Sequence, residues 1–301
     1  MNKRSNNFLL VLGMTLFLSF LFPTQGAWLD SNYLWLQSAM IMLMYFCMGL
    51  TTEFKMLLKG LTNIKSHIFV QLFLFGIAPC VSFIFFLLLS RISGPENAIG
   101  LLFVGCLPTT ITSCIMLAKQ SGGNSAGAIY DATFSQLLGV IITPILLSFF
   151  LQTKIANTRP LGSVMVSLAK KVLLPLIIGQ IVRLMQMKKK FEKLPNLIQF
   201  YAIFVVLFLN LATVLSKNIN LNVMTRLIYS AFGAILLFIV LVFLNWFLSG
   251  LIGLPLPDRI ADAYTGTQKT LGMGIPLATI FFEGNSEFIS KTTIIIIVYY
   301  V

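Results

Sequence analysis

The sequence predicts an all-α polytopic membrane protein of about ten transmembrane helices, built as two inverted five-helix repeats, with the fourth and ninth helices broken near the bilayer centre. Three observations predict it. Of the 301 residues, 57% are hydrophobic and 10% are charged, whereas a soluble domain has about a quarter of its residues charged. The apolar residues come in blocks of about 17 to 25, the length that crosses roughly 30 Å of hydrocarbon. Stretches such as AFGAILLFIVLVFLNWFLSG (231–250) show no alternation, which excludes a transmembrane barrel and leaves helices as the spanning element.

The elements follow in chain order. MNKR followed by FLLVLGMTLFLSFLFP has the basic start and apolar core of a signal peptide, but TQGA is a poor cleavage site, so a retained first span is expected at about 8–23. Further spans are expected at about 34–50, 66–90, 97–118, 125–151, 163–186, 196–215, 224–249, 259–282 and from 289 onward. The tenth holds only IIIIVYYV, about two turns, after Thr293, so it either stops short of a full crossing or is truncated. The stretch from Arg159 to Lys171 reads either as an interfacial amphipathic helix leading into the sixth span or as an ordinary loop. Ten spans divide into five and five, residues 1–155 and 156–301. An odd number per half turns the second half upside down relative to the first.

Charge sets the expected orientation. The short loops carrying Lys55, Lys59, Lys65, Lys119, Arg259 and MKKKFEK (187–193) are richer in Lys and Arg than those of the opposite face, which puts the N-terminus in the cytoplasm. The net charge of +12 is scattered over loops, so it reads as a topology signal and not as a nucleic-acid surface. Short loops and the lack of an organelle signal suit a bacterial cytoplasmic (inner) membrane. Cys47, Cys80, Cys106 and Cys114 lie in apolar segments at spacings that fit neither zinc nor disulfides. They are expected to be small buried side chains.

The chemistry concentrates in three spans. The fourth, GLLFVGCLPTTITSCIMLAKQSGGN (100–124), contains Pro108, which removes a backbone donor, beside the hydroxyls of Thr109, Thr110, Thr112 and Ser113. Opened backbone in a bilayer is costly unless protein or a water-lined cavity satisfies it, so a break there marks a site; the alternative is a kinked helix whose threonines bond to their own turn. In the ninth, ADAYTGTQKTLGMGIPLATIFF (261–282), Gly266, Gly272, Gly274 and Pro276 weaken the helix around Gln268, Lys269 and Thr270. Lys269 lies too deep to snorkel, so its charge needs a partner or a cavity, in a structural ion pair or a functional one. Asp131 in the fifth span, with Ser135 one turn on, is the expected partner, unless it lies close enough to the cytoplasmic end to be hydrated. Gln71 and Gln136 read as interhelical hydrogen-bonding amides.

The segments CLPTTITSCIMLAKQSGGNSAGAIYDATFSQLLGVIITP (106–144) and TGTQKTLGMGIP (265–276) resemble the bile acid:sodium symporter superfamily, in its sodium/bile acid cotransporter 7-like branch. The shared marks are the Cys-x-Pro of the fourth span, the Gly-Gly-Asn turn after it, and the Lys and Gly-Ile-Pro of the ninth. The resemblance runs through nearly the whole chain. It implies a core domain from spans 3–5 and 8–10, a panel domain from spans 1–2 and 6–7, and a crossing of the fourth and ninth helices where they unwind. It also implies sodium sites, with Ser113, Gln268 and Gln71 matching ligand positions. Cys114 stands where the family has an asparagine, and Tyr264 where it has a glutamate. Loss of that carboxylate beside Lys269 weakens the two-sodium arrangement, and Asp131 is the available compensation.

The expected function is therefore secondary active transport of a small organic, anionic solute, coupled to sodium or protons. A candidate binding set is Gln71, Thr109, Thr112, Ser113, Asp131, Ser135, Gln268, Lys269 and Thr270. Sodium would fall to Gln71, Ser113, Asp131 and Gln268, with helix breaks at Pro108, Gly266, Gly272 and Pro276. The alternatives are a non-transporting regulatory membrane protein in cation homeostasis and an intramembrane enzyme. The enzyme is disfavoured: only Asp131 is a carboxylate within a span, His67 stands near a helix start, and Asp258 and Asp262 flank Arg259 as in an interfacial salt bridge. No cofactor is expected, and the partners are the lipid bilayer and the solute, for a monomer or a homodimer.

Overall fold

The computed structural model describes residues 3–51, 63–152, 161–185, 193–216 and 221–301, and among them there is no strand. The helices are α1 (Lys3–Leu21), α2 (Pro23–Asn32), α3 (Leu34–Thr51), α4 (64–93, with a π-turn at Phe73–Ile77), α5 (Pro95–Cys106), α6 (Ile111–Gln120) and α7 (Ser125–Gln152). They continue as α8 (161–185, with a π-turn at Ala169–Leu173), α9 (Lys193–Leu215), α10 (Leu221–Leu251), α11 (Leu256–Thr267), α12 (Leu271–Phe281) and α13 (Ser286–Tyr300). Among the described residues, five helices are long and apolar enough to cross a membrane, or up to seven if each bent pair is one span.

Helix or a pair of helices occupies each apolar stretch marked in the sequence, and the joints follow local chemistry. Gly94 ends α4 with φ 86°, a conformation that costs glycine little, and Pro95 starts α5 where its missing N–H is not needed. At Phe22 the chain turns by 90° into α2. That helix was not expected, because PTQGAWLDSN has no apolar run; its start signal is Pro23 at the first helical position. Of the two readings of 159–171, the helical one holds for the described part: Leu161–Leu168 runs through the π-turn into Leu174–Met185, while 153–160 lie outside the described residues. Lys171 on that turn reaches Glu283 at 2.8 Å. α13 has 15 residues, a rise of about 22 Å.

The outward faces are apolar. Phe149, Phe243 and Leu251 are each more than 60% exposed, an arrangement suited to lipid and not to water. Cys80 corrects one expectation: Cys47, Cys106 and Cys114 are buried, but Cys80 is exposed, on the same outward stripe of α4 as Ile84 and Leu88.

The chain divides into two compact units. One contains α1–α3, α8, α9 and residues 278–293; the other contains α4–α7, α10 from Thr225, α11, α12 as far as Leu277, and the last residues from Ile294. In the first unit α3 and α8 touch backbone to backbone: a Cβ on Gly49 would overlap the carbonyl of Leu176, and one on Gly179 that of Phe46. Small residues permit such close approach inside a bilayer. Asn210 on α9 is 2% exposed and ties this unit together. It accepts from Gln37 at 2.6 Å, donates to Thr279 at 3.1 Å, and takes Ser290 on its carbonyl at 3.1 Å. Asn210→Leu is expected to lower stability by about 0.6–1.7 kcal/mol, the range of interhelical hydrogen bonds in membranes. Thermal unfolding of the purified variant checks this.

Candidate functional site

The second unit holds both broken helices. α5 ends at Cys106 and α6 resumes at Ile111 with a bend of 63°. α11 ends at Thr267 and α12 resumes at Leu271. Pro108 lies in the first break, as its missing donor requires. Gly266, Gly272 and Pro276 do not break the ninth span: Gly266 belongs to the last turn of α11, and Gly272 and Pro276 lie within α12. The break itself is Gln268–Thr270. Gly266 serves close approach instead, since a Cβ there would overlap the amide of Asn245 on α10.

The two breaks meet, and their open backbone is closed almost atom by atom. The N–H of Thr270 donates to Pro108 O at 3.2 Å. Lys269 Nζ donates to Leu107 O at 2.8 Å and to Gly105 O at 3.3 Å. From α7, Thr143 donates to Cys106 O at 2.7 Å and Gln136 to Thr109 O at 2.6 Å. Five successive carbonyls, 105 to 109, thus each receive a donor. α7 also carries Gly139, whose missing Cβ leaves room for the Pro108 ring. On the other side, Tyr299 donates its hydroxyl to Thr267 O at 2.8 Å.

Asp131 and Lys269 are not each other's partners. Asp131, 1% exposed, has both oxygens 3.0 Å from His67 Nδ1, and its backbone carbonyl accepts from Gln71 Nε2 at 3.3 Å. Lys269 is 2% exposed and rests on the carbonyls above. The pairing differs because the end of α5 already offers the ammonium oxygen atoms, and a helix C-terminus favours a cation. His67 sits in the first turn of α4 but is buried against Tyr130, with ring centroids 4.3 Å apart.

Asp258 and Asp262 form no salt bridge with Arg259, contrary to the sequence reading. Asp258 accepts from Asn63 at 2.7 Å and from Asn124 at 2.8 Å, and Asp262 accepts from Ser66 at 2.8 and 2.9 Å. Arg259 instead stacks on Trp246, 4.3 Å from the ring centroid, and donates to its carbonyl. The Gly-Gly-Asn turn has a physical reason here: Asn124 accepts from Gly127 N–H as the cap of α7, and its own N–H donates to Pro257 O.

The remaining candidates divide by exposure. Thr109 and Thr270 are buried at the crossing, Ser135 is buried with its hydroxyl on Ala132 O, Ser113 meets Tyr300 at 3.2 Å, and Thr112 is exposed. Gln268 is half-buried in the break itself. Tyr264 turns away from the break, its hydroxyl 2.8 Å from Ser121. Sequence reasoning missed His67, Asn63, Ser66, Asn124 and Thr143, whose partners lie far along the chain. It also missed Asn245, which is fully buried with both amide atoms unbonded. Among the described residues, no group of three or more His, Cys, Asp and Glu is placed to hold a metal ion.

Discontinuous helices whose breaks meet, in a chain of apolar helices with exposed apolar faces, are an architecture that many secondary transporters use. Residues 6–301 match the model of the SBF-like CPA transporter family, and the chain belongs to that family. It is 30% identical over 267 residues to sodium/bile acid cotransporter 7 of Mus musculus, covering 85% of this chain and 76% of the relative. Against sodium/bile acid cotransporter 7 of Xenopus tropicalis the identity is 32% over 265 residues, 85% and 75% of the two chains. An uncharacterised protein of Pseudomonas aeruginosa is 25% identical over 281 residues, 92% and 84% of the two chains. The chain is a transporter and not an enzyme.

Proposed function

We propose that the chain is a ten-span secondary active transporter, with inverted repeats at 1–155 and 156–301, that carries a small organic anion together with sodium by alternating access. The observation that carries this reading is the closed crossing of two broken spans, Thr270 N–H on Pro108 O. Irregular backbone at membrane depth is kept where it serves a site. Sodium is supported by the names of the relatives, sodium/bile acid cotransporter 7, and Gln268, Gln71 and Ser113 are the oxygen-bearing side chains proposed to take it. The solute class rests on the same names. Spans 3–5 and 8–10 are the proposed core domain, opening alternately to the two sides; the unit that holds the crossing contains most of them, while residues 278–293 of spans 9 and 10 fall in the other unit. Spans 1–2 and 6–7 are the proposed panel, the N-terminus is placed in the cytoplasm, and a bacterial inner membrane is the proposed location.

A second reading, proton coupling, is favoured by one observation, the buried His67 and Asp131 pair at 3.0 Å. A carboxylate and an imidazole at that distance can share and release a proton. Uptake of labelled bile acids and simpler organic anions into proteoliposomes separates the readings. Sodium coupling predicts uptake driven by an inward sodium gradient and not by lithium or a pH gradient. Uptake driven by pH alone refutes sodium in favour of the proton, and binding or regulation without any uptake refutes transport.

A further inference from the structure

Lys269 occupies an unusual environment for an intramembrane cation. Its ammonium is buried, its hydrogen bonds run to Leu107 O and Gly105 O, and the carboxylate of Asp131 is engaged with His67. The oxygens it touches belong to the open C-terminal end of α5, where unpaired carbonyls and the helix dipole concentrate about half a negative charge. Carbonyls at the end of a half-helix, with no carboxylate, are also what proteins use to strip and hold monovalent inorganic cations in membranes. The other carbonyls of this break, at 106, 108 and 109, take neutral donors from Thr143, Thr270 N–H and Gln136. Lys269 is the one charged donor among them.

We propose that the Lys269 ammonium is a tethered cation, filling a carbonyl site at the end of α5 that would otherwise bind a free monovalent cation. The chain carries its own positive charge on Leu107 O and Gly105 O and needs no dissociable ion on those two carbonyls, which are distinct from the side chains proposed for sodium. The backbone oxygens suffice for a charge that is covalently held. The inference goes beyond the transport reading, and its test reads unfolding, so it stands or fails whether or not the chain moves a solute.

The experiment compares Lys269→Met, which keeps the aliphatic bulk and bares the carbonyls, with Lys269→Gln, which keeps a neutral donor. Each purified protein is unfolded thermally in N-methylglucamine chloride and, at equal ionic strength, in sodium, potassium or methylammonium chloride. The Met variant is expected to gain at least about 4 °C more than the wild type from one of these cations, in a saturable way. The Gln variant is expected to respond no more than the wild type. A Met variant that responds no more than the wild type overturns the proposal. So does one that stays unfolded in every cation while the Gln variant folds, because a neutral donor would then suffice.

Discussion

Asp131→Ala is expected to abolish uptake and to lower stability by about 1–3 kcal/mol, because the buried Nδ1 of His67 loses the acceptor 3.0 Å away. The loss concerns more than one bond. Asp131 ties α4 to α7 through His67 and, by its backbone, through Gln71, and α7 carries the two side chains that close Cys106 O and Thr109 O. Loosening α7 therefore reaches the crossing. A double-mutant cycle with His67→Ala should give a coupling of about 0.5–3 kcal/mol, as contacting residues do. Coupling indistinguishable from zero would mean that the two side chains do not work as a pair.

Gly139→Val should have an effect of the same size by an opposite route, overfilling. A Cβ at 139 would stand 2.6, 2.9 and 3.0 Å from three ring carbons of Pro108, all tighter than carbon atoms tolerate, and overpacking of this kind costs about 1–3 kcal/mol. Pro108 sits in the break, so relief by its displacement also moves the carbonyls held by Thr270, Thr143 and Gln136. Uptake is expected to vanish while the helix content by circular dichroism stays unchanged. Gly139→Ala should show a smaller version of both effects. Full uptake by the Val variant would show that the packing of Pro108 on α7 is dispensable.

These expectations indicate which parts of the molecule the sequence could express. Hydrophobic runs located the apolar helices, of which five among the described residues, or up to seven if each bent pair is one span, are long and apolar enough to cross a membrane. The first break was legible at Pro108, since a missing donor is written in the residue type. The second was legible in place, around Gln268 to Thr270, but not in cause: Gly272 and Pro276 sit inside α12, where packing carries them. The environment of Lys269 could not be read, because backbone carbonyls leave no residue signature. Acidic residues do leave one, which is why the sequence points to Asp131, a carboxylate that His67 holds instead. His67 stands near a helix start in the sequence, yet burial against α7 makes it the partner of Asp131. Asp258 and Asp262 looked tied to their neighbour Arg259, while their donors are Asn63, Asn124 and Ser66, brought in from far along the chain by folding. α2 escaped notice because helicity without an apolar run has only its cap to announce it.

The central claim, that the crossing of the broken helices is the place where access alternates, is tested most directly by a thiol at Gln268. Gln268→Cys, in a Cys80→Ser background because Cys80 is exposed while Cys47, Cys106 and Cys114 are buried, is treated with a membrane-impermeant thiol reagent from either side of oriented vesicles. Labelling is expected from both sides, in a ratio that shifts when sodium is added. Labelling from one side only, at a rate that sodium does not change, would contradict the account.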